Sequence, residues 1–453
     1  MYKIFVLLFL TNIYFSCVFP QQTKNVFIIV VDGARYSETF GDPLHQYIPK
    51  IWNVLKPQGT IYTSFYNQGV TQTNSGHSSI LTGTWQAIAN DGTERPHKPT
   101  LFEYYRKETG ATASDNYVIL GKDKLDILAY SDYAGFGAAY TASIQTSTSQ
   151  YDDIAAFNNI KTVINAAHPK FAIVNLPGTD RAGHDGPWSN YVTKLRLADS
   201  LVYEFWNFIQ ADPVYQNKTT VFVTNDHGRH LDGIADGFRG HGDGCSGCRH
   251  ISLLVLGPDT PPGVTDTTTR TQIDIAPTAA VLLKFSPTFS VGTIMATAIN
   301  FELPQIITTQ VLNGWNIISV PMKSLNYTKS VLYPSSISSA FEFILASGYN
   351  TKDTLENGKG YWLKFGSVEN LSFTGYKIQN DTVEVVNGWN LIGSITDSIA
   401  TSSVTTIPFG ILSSGYYGYE NGYSISDYIK PFRGYWIKAN QDGKLIMNYS
   451  GKR

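Results

Sequence analysis

The sequence predicts an α/β fold: a three-layer α/β/α unit around a mostly parallel sheet, followed by a β-rich, duplicated C-terminal region. Three observations lead there. Short apolar runs alternate with helical patterns from about residue 25 to 303, the helical patterns then fade, and the second part repeats itself at a fixed spacing. Alternation of this kind builds a sheet covered by helices on both sides, and a fixed spacing marks duplication.

The chain opens with one Lys and an apolar run from Ile4 to Leu10 that continues weakly to Phe19. That is the layout of a secretory signal, taken as 1–22, and the run is too short and interrupted for a membrane span. A buried first strand is the alternative. Tyr14, Phe15 and Ser16 before Cys17 make a poor lipobox, so the expected location is secreted, periplasmic or at the cell surface, with no transmembrane helix once the signal is removed.

A first unit is expected over 23–303. The runs NVFIIVV (25–31), YVILG (117–121), FAIVNL (171–176), TVFVTN (220–225) and ISLLVLG (251–257) are nearly all apolar, as strands are when both faces are buried. TIYTSFYNQG (60–69) is a further strand candidate, and helices are predicted over 76–82, 99–108, 152–167, 189–211 and 272–284.

Beyond it, Gly314-Trp315-Asn316 recurs as Gly388-Trp389-Asn390, Gly348-Tyr349 as Gly422-Tyr423, and GYWLK (360–364) as GYWIK (434–438), all 74 residues apart. Two β modules, 304–378 and 379–453, follow from this. No His or Cys occurs in either, which argues against catalysis there. The repeats either attach the protein to a cell surface or glycan or pack Trp315, Trp362, Trp389 and Trp436 as core. Core is the expectation for most of the four, because Gly beside aromatic residues at matching places suits packing.

With 453 residues, 42% of them hydrophobic and 15% charged, the chain suits two to four domains with substantial cores. A net charge of −2 gives no overall attraction for a nucleic-acid duplex or an anionic membrane. Cys245 and Cys248 remain after the signal, spaced as CSGC. A local disulfide is the simplest reading in an exported protein, with a reduced or metal-associated pair as the alternative.

Ligands bind outside the carboxyl ends of strands in open α/β sheets. Asp32 ends the first run, Asp180 and His184 follow the third, Asp226 and His227 end the fourth, and His241 follows in a Gly-rich stretch. Each is also an ordinary turn or loop residue taken singly. Together they form a cluster of carboxylates facing imidazoles, which a divalent cation pair relieves. Thr73 precedes a short helix carrying His77, where the positive end of the helix dipole and free backbone amides suit a phosphate. Ser75 is the rival nucleophile, and an ordinary cap is the bland reading of Thr73.

The order Asp, Thr, Asp-x-x-x-His, Asp-His, His resembles the alkaline phosphatase superfamily, and most its nucleotide pyrophosphatase/phosphodiesterase branch. DRAGHDGP, NDHG and QTNSGHSSILTG are similar to that branch's motifs over roughly residues 25–300. The resemblance implies an alkaline-phosphatase-like fold and two zinc ions. Asp32, Thr73, Asp226 and His227 would hold one, and Asp180, His184 and His241 the other. It implies a phosphodiesterase or nucleotide pyrophosphatase that acts through phospho-threonine at Thr73 on a small-molecule phosphate ester, a nucleotide or a lipid headgroup. Asn90 is the candidate for the family's phosphate-contacting Asn, with Asn74 as its competitor. The family's Phe-Pro after the nucleophile is Asn74-Ser75 here.

Other readings stand beside it. A sulfatase shares the fold but needs a Cys/Ser-x-Pro-x-Arg motif, which is missing at the nucleophile. A cofactor-independent phosphoglycerate mutase has a similar Ser-x-x-Gly-His pattern but carries an inserted domain and is not exported. A phosphomonoesterase or phosphonate hydrolase of the same superfamily is the alternative enzyme, and an inactive surface-binding protein the alternative of another class.

Overall fold

The computed structural model describes residues 21–324 and 326–449. The expected signal therefore lies, up to residue 20, outside the described residues. Its last two positions are held: Gln21 Nε2 donates to the Leu282 carbonyl at 2.7 Å, and the Gln22 amide donates to the Asp259 carboxylate at 2.9 Å. The chain divides into two compact units between Phe301 and Glu302.

Among the described residues the first unit builds one nine-stranded sheet. Its strands are β1 (Asn25–Val31), β2 (Gly59–Tyr66), β3 (Asn116–Ile119), β4 (Ser143–Gln145), β5 (Phe171–Leu176), β6 (Thr219–Thr224), β7 (His250–Leu256), β8 (Val264–Asp266) and β9 (Arg270–Thr271). They lie in the order β4-β3-β5-β1-β6-β7-β2-β8, with β9 beside β2. All seven residues of β1 are buried, which explains its run of Val, Ile and Phe without polar alternation. Val31 pairs with Leu176 of β5, and Val30 with Thr224 of β6, so three parallel strands end flush at one edge.

β7 differs from expectation. It runs antiparallel to both β6 and β2. The segment after β6 therefore leaves the carboxyl edge and returns to that same edge before β7 begins, which keeps His241 near Asp226.

The helices are α1 (Thr73–Thr82), α2 (Leu101–Thr109), α3 (Asp153–Ala167), α4 (Gly178–Asp185), α5 (Trp188–Ala211), α6 (Ser246–Arg249) and α7 (Ile275–Leu283). Ile160, Val163 and Ile164 of α3, with Leu201, Val202 and Phe205 of α5, bury against Phe27, Ile29 and Val31 of β1. Helices α1, α2 and α7 pack together, and α7 also meets β1. Three points depart from the sequence reading. α1 starts three residues early at Thr73, 272–274 is a separate tight turn before α7, and 178–185 is a two-turn helix where a loop was expected. Strands β4, β8 and β9 carried no apolar signal because each has only two or three residues.

Among the described residues the strand pairs of the second unit are antiparallel, with a short helix at Lys329–Leu332. In the first repeat Gly314–Ser319 pairs with Gly360–Phe365, and in the second Gly388–Ile392 pairs with Tyr435–Ala439. The Gly-Trp-Asn repeat has a local cause. Gly314 and Gly388 turn the chain at φ +91° and +112°, and the following Asn clamps the turn. Asn316 Nδ2 donates to the Leu312 carbonyl and Asn390 Nδ2 to that of Val386, both at 2.8 Å.

Phe341 faces Trp362 across the sheet as Tyr417 faces Trp436. The hairpin after these strands closes at Ile344–Gly348 in the first repeat and at Tyr419–Tyr423 in the second. The repeats also exchange rings. Phe343 packs edge-on to Trp436, and Tyr419 edge-on to Trp362, each with centroids 4.8 Å apart. Two equivalent open clefts result. One of about 390 Å³ is lined by Trp315, Phe341, Tyr349, Trp362 and Tyr419, and one of about 470 Å³ by Trp389, Tyr417, Tyr423, Trp436 and Phe343. The expectation that most of these Trp residues are core needs correction. Trp436 is buried and Trp362 half-buried, but Trp315 and Trp389 are 41% and 39% exposed.

Candidate active site

The flush ends of β1, β5 and β6 bring the predicted acids together. Asp32 follows β1 directly, Asp226 and His227 follow β6, and α4 sets Asp180 and His184 one turn apart on one face. Gly33 permits the approach. It sits at φ +67°, and a Cβ there would lie 2.7 Å from Asp180 Oδ1.

Asp32, Asp226 and His227 offer ligand atoms within 4.8 Å of one another, and Asp180, His227 and His241 do the same. His227 thus stands between the two groups. Asp32 Oδ1, Asp226 Oδ2 and His227 Nε2 are buried and have no hydrogen-bond partner. Buried polar atoms are normally satisfied, so three such atoms converging on one point fit a bound cation.

The imidazoles are poised as ligands. His227 Nδ1 lies 2.9 Å from the Gly228 carbonyl and His241 Nδ1 3.0 Å from the Thr71 carbonyl. Each Nε2 is thereby freed for the cluster, as happens when a backbone carbonyl holds the far nitrogen of a metal-bound histidine. Burial pushes the His227 pKa down to about 3, so the ring is neutral, the form that ligates. His184 sits at the rim, its Nε2 3.0 Å from His241 Nε2 and 3.4 Å from Asp180 Oδ1.

Thr73 is the first residue of α1, and the position before it is Gln72, so Thr73 does not cap the helix. Its buried Oγ1 lies 3.3 Å from Lys122 Nζ. Ser75 instead exchanges hydrogen bonds with the Ile88 backbone at 3.3 Å. Asn90 reaches the same helix start: its Oδ1 accepts the Asn74 amide and the Lys124 ammonium, each at 3.0 Å. The Asn74 side chain turns away to the Ala89 carbonyl.

The sequence reading missed Lys122, which is buried with its Nζ 2.8 Å from Asp32 Oδ2 and 2.6 Å from Asp180 Oδ2. A signal for it existed. Lys122 follows the run YVILG as Asp32 follows its own, so the strand-end position that marks the acids marks this lysine too. Burial alone would lower its pKa, but Asp32, Asp180 and Asp226 outweigh that and hold it above the ordinary lysine value. In the same way burial would raise Asp180, yet Lys122, His184, His241 and Arg229 hold it well below the usual range. Asp32 is raised, by burial and then by Asp226.

Arg229 carries no signal in the sequence reading, and His77 enters it only as a residue of the helix after Thr73, without a role at the site. Arg229 is fully buried, pairs with the Asp180 carboxylate, and donates to the carbonyls of Gly33 at 3.2 Å and Arg239 at 2.7 Å. It ties the end of β1, α4 and the following loop into one frame. His77 Nδ1 lies 3.3 Å from Asp226 Oδ2, and its Nε2 lies 3.0 Å from Asn175 Nδ2.

A family model described as sulfatase matches residues 24–285. No curated protein matches the sequence. Several solved structures are similar at low identity. The lipoteichoic acid synthase LtaP from Listeria monocytogenes shares 14% identity over 63% of this chain and 78% of its own, with a TM-score of 0.46. Wild-type alkaline phosphatase PafA shares 14% over 61% and 99%, with a TM-score of 0.47. Murine ectonucleotide pyrophosphatase/phosphodiesterase 5 shares 12% over 61% and 99%, with a TM-score of 0.45.

Proposed function

The chain belongs to the sulfatase family of the alkaline phosphatase superfamily, and from that premise we propose that it is a metal-dependent phosphoric ester hydrolase with Thr73 as nucleophile. The family is hydrolytic and metal-dependent. The observation that carries the reading is the set of orphaned ligand atoms on Asp32, Asp226 and His227 beside the Thr73 hydroxyl at the start of α1. A sulfatase reaction is disfavoured because position 73 is Thr, outside any Cys/Ser-x-Pro-x-Arg motif.

Asp32, Thr73, Asp226 and His227 would hold one zinc ion, and Asp180, His184 and His241 the other. Zinc bound there supplies Lewis-acid polarisation of the phosphoryl group and lowers the pKa of a coordinated hydroxyl or water. Thr73 gives up its hydroxyl proton to solvent as Oγ1 attacks phosphorus in line, and the ester oxygen leaves with the bonding pair and takes up a proton from solvent. Water then cleaves the phospho-threonine, returning the hydroxyl and releasing phosphate. The α1 amides, Asn90 and Lys124 orient the non-bridging oxygens. Lys122 stays protonated among its carboxylates, so it serves as a fixed positive charge and not as the base.

The two lysines bear on the class of ester. The motif resemblance implies a diester such as a nucleotide or a lipid headgroup derivative. Lys122 beside the Thr73 hydroxyl and Lys124 beside Asn90 favour the extra negative charge of a monoester, so monoester hydrolysis is the reading the geometry supports best. The deciding measurement is kcat/KM of zinc-loaded protein on a nitrophenyl monoester against the matching diester. Monoester preference is expected, with Lys122→Ala lowering it by about 10²–10³ and Thr73→Ala abolishing both. Diester preference would restore the phosphodiesterase reading. Unchanged turnover in Thr73→Ala would overturn both.

Export to the periplasm, cell surface or medium is part of the proposal and rests on the first residues of the sequence. Among the described residues no helix is long and apolar enough to cross a membrane. The open aromatic clefts support attachment of the repeats to a glycan, since flat ring faces suit the C–H faces of sugars. Joint substitution of Trp315 and Trp389 by Ala is expected to remove retardation on polysaccharide gels while leaving ester hydrolysis unchanged.

A further inference from the structure

We infer that His230, Asp243, Cys245 and Cys248 form a third metal site, a tetrahedral zinc site separate from the catalytic cluster, which fastens both ends of the loop carrying His241. The ligand atoms of the four residues lie within 4.8 Å of one another, and the set shares no member with the catalytic groups. His230 Nε2 is 3.3 Å from Asp243 Oδ1, Cys248 Sγ is 3.5 Å from the same oxygen, and the two sulfurs are 2.9 Å apart. Tetrahedral zinc with thiolate, imidazole and carboxylate ligands needs donor separations of about 3.3–3.8 Å. Small side-chain adjustments reach that geometry.

Three features favour a metal over a disulfide. His230 is 7% exposed, and its Nε2 has no hydrogen-bond partner. A disulfide would leave that nitrogen unsatisfied, whereas a cation in the centre satisfies it. The other ring nitrogen, Nδ1, meets Asp236 Oδ1 at 2.6 Å, the carboxylate-to-histidine arrangement that fixes the ring for metal binding. The Cys248 amide donates to Cys245 Sγ at 3.2 Å, a contact that stabilises a thiolate. Two thiolates, one carboxylate and one neutral imidazole select zinc among common cations. Binding would release the two thiol protons to solvent.

The site bears on the catalytic cluster through the chain between its ligands. His230 and Asp243 bracket His241, and the loop closes on itself where the His230 amide donates to the Gly240 carbonyl at 2.9 Å. Near its far end the Gly244 amide donates to Thr71 Oγ1 at 3.2 Å, two residues before Thr73. A metal joining both ends restricts the loop and so positions His241. This role is structural, and the site stands whether or not the ester-hydrolase reading does.

Cobalt titration of the full-length protein, purified with reductant and stripped of metal, tests the site. Cobalt–thiolate charge transfer reports only on cysteine ligands, so the catalytic groups are silent in it. The expected result is one thiolate band saturating at one cobalt per chain. The band should be retained in Asp226→Asn, lost in the Cys245→Ser/Cys248→Ser pair, and require at least tenfold more cobalt in His230→Gln. The Cys pair should also lower kcat/KM about tenfold while keeping the catalytic zinc, read by elemental analysis. Absence of the band from wild-type protein with two titratable thiols would overturn the site, as would a Cys245–Cys248 disulfide found by mass spectrometry in protein recovered from its native compartment.

Discussion

Arg229 shows how much a single side chain organises here. Its guanidinium reaches the end of β1, the first turn of α4 and the loop before His241, with no exposed surface of its own. Removing one member of a buried ion pair leaves the other charge uncompensated, at a cost of about 3–5 kcal/mol. Arg229→Met should therefore lower unfolding free energy by that amount in urea titrations. Arg229→Lys should recover only part of it, because an ammonium cannot span three partners. The sequence marked Asp32, Asp226 and His227 because each stands where an apolar run stops. It did not mark Arg229 or His230, whose burial comes from a loop folding back on itself and leaves no trace in local hydropathy.

Between elements, the junction of α3 and α4 deserves a quantitative test. Asp153, in the first turn of α3, accepts the Gly178 amide at 2.7 Å where α4 begins, while its second oxygen is buried without a partner. Burial raises its pKa from 3.8 to about 6. Below 3.8 both folded and unfolded chains hold the proton. As pH rises from there, the unfolded chain releases it first, and stability is lost until the folded group also ionises near 6. Asp153→Asn should thus match wild type near pH 4 and exceed it by on the order of 3 kcal/mol at pH 8, measured by denaturant unfolding at both pH values. A constant difference between them would exclude this titration as the cause. The helix pattern of α3 was legible from its sequence; α4 was not, because eight residues containing two Gly resemble a loop. The direction of β7 was likewise hidden, since an apolar run reads the same either way.

At the scale of the molecule, the duplication was the clearest message in the sequence, and the structure gives its cause in the turn clamped by Asn316 and Asn390. The repeats are nonetheless joined. Ile317 from the first buries with Leu391 and Trp436 from the second, and Ser319 Oγ meets Ser394 Oγ at 2.8 Å. A chain ending after Ile378 should therefore lose protease resistance in residues 302–378, read by limited proteolysis with mass spectrometry. Persistence of a resistant first repeat would mean that each folds alone. The exchanged rings carry the point further. Since Phe343 is a wall of the cleft belonging to the second repeat, and Tyr419 a wall of that belonging to the first, neither copy builds its cleft alone. A substitution at either ring therefore reshapes the cleft of the other half as well as the packing of its own.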